Sequence, residues 1–235
     1  DLLEAMPIEK RDVSVTGADG GFSILLDGKS VKTPQRAPLS LPTRALAEAI
    51  ADEWRAQGDE IKPEAMPLTK LANTAIDGAP QREAIAEQAL GYGRSDLLCY
   101  RAEGPDDLVI RQARQWGPLL DWLHQTHGAR LKTASGIGYV EQPAEAITRL
   151  AGRLGQFDPF SLVALHTVTA ITGSLALGLA LADGQISAGE AFALSQLDEA
   201  FQAEKWGTGA EAGARAARLQ AELEAVERFF RLSRP

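Results

Sequence analysis

The sequence predicts an α+β fold in which a small N-terminal antiparallel β meander or sheet packs on a larger, mostly α-helical C-terminal domain. Two observations lead to this prediction. Apolar and polar residues alternate between residues 11 and 41, with turn signals between the runs, whereas helical spacing of apolar residues dominates from residue 80 onward. A chain of 235 residues with 45% hydrophobic and 24% charged residues is long and apolar enough to bury a core.

The N-terminal part carries the strongest hairpin signal, Asp27-Gly28, because a type I′ turn needs positive φ at both central positions. A third strand through Val31 and a short fourth strand at 39–41 should follow. Thr43 is predicted to cap a helix that ends by Gly58. Residues 1–64 are therefore predicted to form a small β-rich domain with one helix, and residues 65–235 a helical domain.

Helices of the second part are placed by their caps and breakers, Pro at the first turn and Gly at the end. Ser95 or Asp96 should cap the segment that follows, and the end of the last helix is expected to be exposed and frayed. The predicted helical ranges are 68–77, 80–90 (interrupted by the glycines at 91 and 93), 105–116, 118–126, 143–154, 187–207 and 214–232.

The most apolar stretch, Phe160 to Ala182, predicts a buried helical pair or one central helix that begins at Asp158-Pro159. Because it contains His166, several threonines and two glycines, it does not predict a membrane span. The segment Asp1–Glu4 lacks a basic, then apolar, signal-peptide pattern.

Charge and chemistry exclude several classes of function. A formal net charge of -8 argues against a nucleic-acid partner. Cys99 is alone, and His124 and His127 have no local acidic or Cys partner, so we expect no metal and no cofactor. Glu199 and Glu204 lie five apart on one predicted helix and point in different directions, which makes a poor acid–base pair. No catalytic residue is assigned, and we do not expect an enzyme.

One late stretch, from Ser187 to Gly207, has a pattern that core packing alone does not explain. Ser187 and Glu190 are spaced as a capping box, and a single helix to Gly207 is predicted. One line of this helix is apolar, with Leu194, Leu197 and Phe201. At about 100° per residue, a second line carries Ser195, Glu199, Gln202 and Trp206.

The second line has two interpretations. Trp206 either folds back under the next helix while Glu199 caps or pairs with a neighbour, or the line is a docking surface for another molecule. The residues alone favour the first interpretation.

The segment Asp198–Gly207 resembles the acidic-aromatic-Gln-x-x-x-Trp-Gly signature of the ATP12 family, with Asp198 where Glu is common and Phe201 where Tyr is common. Further segments that resemble the family are Leu26–Lys29 with Lys32–Pro34, Glu53-Trp54 with Gln57, Ala65–Asp77, Ser95–Arg101, and Gln112–Leu120. Together these matches span nearly the whole chain.

The resemblance implies a chaperone of ATP synthase assembly that binds the free F1-ATPase α subunit and masks the surface later paired with β. It implies an ATP-independent monomer, released by subunit exchange, without stable membrane insertion. The expected contacts are Glu199, Gln202 and Trp206, with Glu204 as the competing acid and Ser195 on the same line. The location would be the bacterial cytoplasm, or the mitochondrial matrix if a targeting segment has been removed. The alternative is a helical scaffold or small-ligand-binding module in which Trp206 is buried.

Overall fold

The computed structural model describes residues 12–18 and 20–235. The predictions that concern Asp1–Glu4 and Arg11 fall outside these residues. The α+β fold is confirmed, with a three-stranded antiparallel sheet in the order β1-β2-β3 before a mostly helical chain, in which β4 and β5 pair in parallel. The strands are β1 (Val13–Ala18), β2 (Gly21–Leu26), β3 (Lys29–Ser30), β4 (Tyr100–Arg101) and β5 (Ala134–Ser135).

The hairpin between β2 and β3 turns at Asp27-Gly28, as predicted. Asp27 has φ 50° and Gly28 has φ 75°, so both central residues adopt the left-handed conformation that a type I′ turn requires. The preceding strand directs Ile24 into the core, where it is fully buried. The short-range turn chemistry therefore sets the register of the sheet.

The sheet is smaller than the alternation of residues predicts. β3 ends at Ser30, and the predicted fourth strand is reduced to an isolated bridge between Phe22 and Leu41. Pro34 and Pro38 lie between them and have no backbone N–H to donate to a longer ladder.

Helices make up most of the described chain. Short 3₁₀ turns precede α2 and α3, at Pro63–Ala65 and Ala79–Gln81, and another at Leu97–Cys99 precedes β4. The α-helices are α1 (Arg44–Arg55), α2 (Pro67–Asp77), α3 (Arg82–Arg94), α4 (Asp106–His127), α5 (Ala144–Gly155), α6 (Pro159–Thr172), α7 (Leu175–Ala182), α8 (Ala188–Ser195), α9 (Leu197–Trp206) and α10 (Ala210–Ser233).

Three predicted helix starts are confirmed by their cap hydrogen bonds. The Thr43 hydroxyl accepts from the amide of the third helical residue of α1, and the Asp158 carboxylate accepts from two amides of α6. Ser187 and Glu190 form both halves of the capping box of α8. Each cap satisfies amides that the first helical turn leaves unpaired.

The apolar stretch is the predicted buried helical pair. The chain leaves α6 at Gly173, which has φ 72°, and Ser174 caps α7 with its hydroxyl. All eight residues of α7 are buried. In the described part of the chain, we find no helix with the length and apolar character that crossing a membrane demands.

Two predicted interruptions are wrong. α3 continues through Gly91 and Gly93. A Cβ at Gly93 would come within 2.9 Å of Leu175, so the role of this glycine is to allow close packing. α4 continues through Pro118 as one helix of 22 residues. Pro118 and Arg114, whose carbonyl loses its partner, lie on the exposed side, where water can replace the missing bond.

The last helix also differs from its prediction. α10 starts at Ala210 rather than at residue 214, and its C-terminal half is anchored instead of frayed. Val226, Phe229 and Phe230 are buried there, and the Thr43 hydroxyl donates to the carbonyl of Leu232.

One hydrophobic core joins the sheet to the helices, and within it a buried carboxylate links α1 to α2. The Glu53 carboxylate of α1 is buried and accepts from the amides of Leu68 (2.7 Å) and Thr69 (2.9 Å) at the start of α2. It thereby satisfies two amides that the first turn of α2 cannot pair internally. The division of the chain at residue 64 into two domains stays a prediction.

Candidate partner-binding surface

The predicted single helix from Ser187 to Gly207 is two helices, α8 and α9, that meet at Gln196. Side chains bond to backbone carbonyls at this point. The Ser195 hydroxyl donates to Phe192 (2.8 Å), and the indole N–H of Trp116 donates to Leu194 (2.9 Å). Gln196 has φ -103° and ψ 18°, which bends the chain before α9 begins.

The break removes Ser195 from the line predicted with Glu199, Gln202 and Trp206. Ser195 is the last residue of α8 and is buried. The prediction that the four residues share one helical line is therefore wrong at Ser195. The other three lie within α9.

α9 lies antiparallel against α4 and is held there by polar contacts. Near the end of α9, Glu204 forms a two-pronged ion pair with Arg111, with N–O distances of 2.7 and 2.9 Å. Near its start, Asp198 accepts from the Gln112 side-chain amide at 2.8 Å. Since Arg111 and Gln112 are successive residues of α4, these bonds fix the rotation of α9 about its own axis.

Apolar packing of α9 rests on Leu197 and Phe201, which are 2% and 4% exposed. Two cations cover the ring of Phe201, the Arg111 guanidinium at 5.0 Å and the Lys205 ammonium at 4.4 Å from its centroid. Such contacts between a cation and a ring face are attractive. The side of α9 that faces α4 is therefore occupied by contacts within this chain.

Glu204 is therefore engaged, which separates it from Glu199. The hydrogen bond from Arg111 holds the pKa of the Glu204 carboxyl below its usual range, and the same bond raises the pKa of Arg111. Glu199, by contrast, is exposed, and it makes no hydrogen bond or ion pair with the residues that the structure describes.

Glu199, Gln202 and Trp206 form one exposed face of α9. Counted at about 100° per residue, they lie about 160–220° around the helix from Glu204, opposite α4. All three are exposed, and Trp206 is 85% exposed. The interpretation in which Trp206 folds back under the next helix is wrong, because Gly207, with φ 79° and ψ 168°, directs the chain into α10 without covering the ring. We call these three residues the α9 face.

The described residues limit where a metal ion or a small ligand could bind. No group of three or more His, Cys, Asp or Glu residues that could hold a metal ion occurs among them. A cavity of about 430 Å³ is lined by residues of the loop from Ala56 to Ala65, and another of about 300 Å³ by residues between Pro34 and Gln81. Neither cavity is lined by a residue of α9.

Comparison with known proteins places the chain in a family. The model of the family described as ATP12 chaperone protein matches residues 10–124. The crystal structure of Atp12 from Paracoccus denitrificans is 46% identical in sequence, with a TM-score of 0.91, and the match covers 95% of this chain and 96% of that one. The chain belongs to the ATP12 chaperone family. Membership makes it a chaperone of ATP synthase assembly.

Two further relatives extend the comparison of this ATP12 family member. A protein of Agrobacterium tumefaciens, described as a candidate chaperone, has a crystal structure with a TM-score of 0.92 and 44% identity, over 97% of this chain and 86% of that one. The mitochondrial protein atp12 of Schizosaccharomyces pombe is 25% identical over 203 residues, which are 81% of this chain and 70% of that protein.

One segment that resembles the family, Gln112–Leu120, serves to position α8 and α9. Gln112 bonds to Asp198 with its amide nitrogen and accepts from the Ala102 amide with its oxygen (2.8 Å). Trp116 is fully buried and bonds to α8. Sequence reasoning missed Arg111, because its partner Glu204 lies 93 residues away and no local spacing signals the pair.

Proposed function

We propose that this chain binds the free F1 α subunit through the α9 face and covers the surface on which α later pairs with β. The observation that carries the proposal is the orientation of α9. One side is fixed to α4 by Arg111 and Gln112, while an acid, an amide and an 85% exposed Trp206 face outward. A few residues usually carry most of the binding energy of a protein–protein interface, and an aromatic residue beside polar ones is typical of them.

Glu199 is the acid that recognises the client in this proposal. It has no partner among the described residues, so a Lys or Arg of the α subunit can form a charge-assisted hydrogen bond with it. Glu204 already has Arg111, and moving it to a client would leave Arg111 unpaired. Ser195 is buried and bonded to α8, so its predicted contact is not part of the proposal.

The proposal includes no chemical step. Masking an exposed subunit surface lowers the concentration of free, aggregation-prone α subunit by mass action. Release follows when β competes for the same surface, and ATP is not consumed. The chaperone acts as a monomer in the bacterial cytoplasm, or in the matrix if the protein is mitochondrial.

The test compares two Glu→Gln variants in capture of purified α subunit. Glu199→Gln should weaken capture about ten- to a hundredfold, since a hydrogen bond to a charged group contributes about 1.5–3 kcal/mol. Glu83→Gln is the matched control, because Glu83 is also an exposed acid in the first turn of a helix, α3. Wild-type protein should capture free α subunit and not assembled F1.

The outcomes separate the proposal from its alternatives. Equal capture by both variants would remove Glu199 from the site. If wild-type protein does not capture free α subunit at all, the proposed partner is wrong, and a small-ligand-binding module becomes the better hypothesis.

A further inference from the structure

The segment that follows the α9 face is helical but unsupported by the core. No side chain from Glu204 to Glu222 is fully buried, although Ala216, Leu219 and Gln220 are half-buried, and α10 enters the core only at Leu223. We call residues 210–221, the first half of α10, the α10 arm. At 1.5 Å per residue it is about 18 Å long.

The α10 arm consists of good helix formers apart from Gly213, yet a helix of about 12 residues without a packed face is only marginally stable in water. A helix draws most of its stability from packing an apolar face, and the arm has no buried face. Gly209 precedes it without a side-chain cap. Gly213 then stands in its second turn, although glycine is the poorest helix former after proline. The arm therefore lacks the packing that an external contact could supply.

The α10 arm is continuous with the α9 face. Only Gly207, Thr208 and Gly209 separate Trp206 from the arm, and these are also exposed. At about 100° per residue, Glu211, Arg215 and Arg218 fall on one line of the arm, and Glu222 continues that line just after it. A surface with both signs of charge and one aromatic anchor suits a specific interface that must later be released.

We propose that the α10 arm is the second half of the client surface and becomes fully ordered only when the free F1 α subunit lies against it. This inference rests on the proposed function and adds a second element to it. The fitting partner is a subunit surface with an apolar pocket for Trp206, a cation opposite Glu199, and charges of both signs along the arm. Client binding then supplies the packing that the arm lacks, and part of the binding energy orders the helix.

Two Gly→Ala variants test whether ordering of the arm is linked to binding. A Cβ added at Gly213 meets no atom within 4 Å, and the same holds at Gly152, which is exposed in α5. Both substitutions favour the local helix equally. Gly213→Ala should tighten capture of free α subunit by up to about fivefold, because less ordering remains to be done on binding. Gly152→Ala should leave the affinity unchanged.

A helix-breaking variant should change the affinity in the opposite direction, and hydrogen exchange measures the ordering of the arm itself. Gly213→Pro removes the bond from the Gly213 amide to the Gly209 carbonyl and should weaken capture at least fivefold. Backbone amides of the arm should exchange quickly in the free protein and become protected in the complex. Equal affinities of the two alanine variants, with unchanged exchange in the arm, would overturn this inference alone. Failure of wild-type protein to capture the α subunit would overturn the proposed function as well.

Discussion

At the scale of single residues, Asp96 shows how one carboxyl group can join distant segments. It is fully buried, and it accepts from the amide of Leu98 (3.0 Å) and from the amide of Ala176 at the start of α7 (2.9 Å). Burial raises its pKa to about 6, and the hydrogen bonds it accepts only partly offset that effect. The carboxyl group therefore caps two elements while titrating close to neutral pH.

Replacing Asp96 should reveal this titration as a change of stability with pH. Because the pKa is about 6 in the folded state and near 3.8 when unfolded, the folded state binds more protons between those values. The contribution of Asp96 is full below about pH 4, falls as pH rises to 6, and is constant above. Asp96→Asn does not titrate, and its amide nitrogen cannot accept from a backbone N–H.

Wild-type protein should be more stable than Asp96→Asn at pH 4.5, and this advantage should shrink by on the order of 2 kcal/mol, at 1.36 kcal/mol per pH unit between 4.5 and the folded-state pKa of about 6, by pH 7. Urea unfolding of both proteins from pH 4.5 to 7.5 measures the difference. A difference that does not vary with pH would contradict a raised pKa at this position.

Sequence alone predicts those residue contacts whose two partners lie close in the chain. The sequence predicts that either Ser95 or Asp96 caps the residues that follow, and Asp96 does so at Leu98. Its bond to Ala176 spans 80 residues and leaves no local trace. The same limit explains Arg111 and Glu204, whereas Ser187 and Glu190 form their capping box across three residues.

At the scale of elements, α3 lies so close to α7 that one glycine decides the packing. A Cβ at Gly93 would lie 2.9 Å from the Leu175 side chain and 3.3 Å from that of Leu150. Gly93→Ala should therefore destabilise the protein by about 1–3 kcal/mol through overpacking. Gly91, two residues earlier in the same helix, has no atom within 4 Å of its added Cβ, so Gly91→Ala should be neutral or stabilise by up to about 1 kcal/mol. Thermal and urea unfolding of the pair measures both effects, and equal stabilisation of the two variants would show that helix propensity, not contact, sets the result.

Helix ends are predictable from sequence where a cap forms, and less so where Gly or Pro stands inside a helix. Gly128 and Gly173 end helices with φ of 70° and 72°, whereas Gly93 continues one. Pro118 is tolerated because its side of α4 faces water. At the break between α8 and α9, Leu194 accepts a hydrogen bond from Trp116, a residue of another helix, and no pattern within the segment signals that contact.

At the scale of the whole molecule, the protein separates a rigid support from an exposed surface. α6 and α7 form the buried centre, and the C-terminal half of α10 packs against α6 and α8. The α9 face and the α10 arm both lie outside this core. The contrast between apolar and polar stretches allowed the support to be predicted. The orientation of the surface could not be predicted, because it depends on the bonds between α4 and α9.

Under the proposed function, the separation of support and exposed surface predicts how the α subunit leaves the chaperone. A contact made mainly by exposed polar groups and one aromatic ring is reversible, so a competitor that occupies the same α surface should displace the chaperone without an energy source. Adding purified β subunit to a complex of labelled chaperone and α subunit should release chaperone in proportion to β, to the same extent with and without hydrolysable ATP. Size-exclusion chromatography with fluorescence detection measures the released fraction. A stable complex of all three proteins would show that chaperone and β bind different surfaces of α, and release only during ATP hydrolysis would show that competition alone is not sufficient.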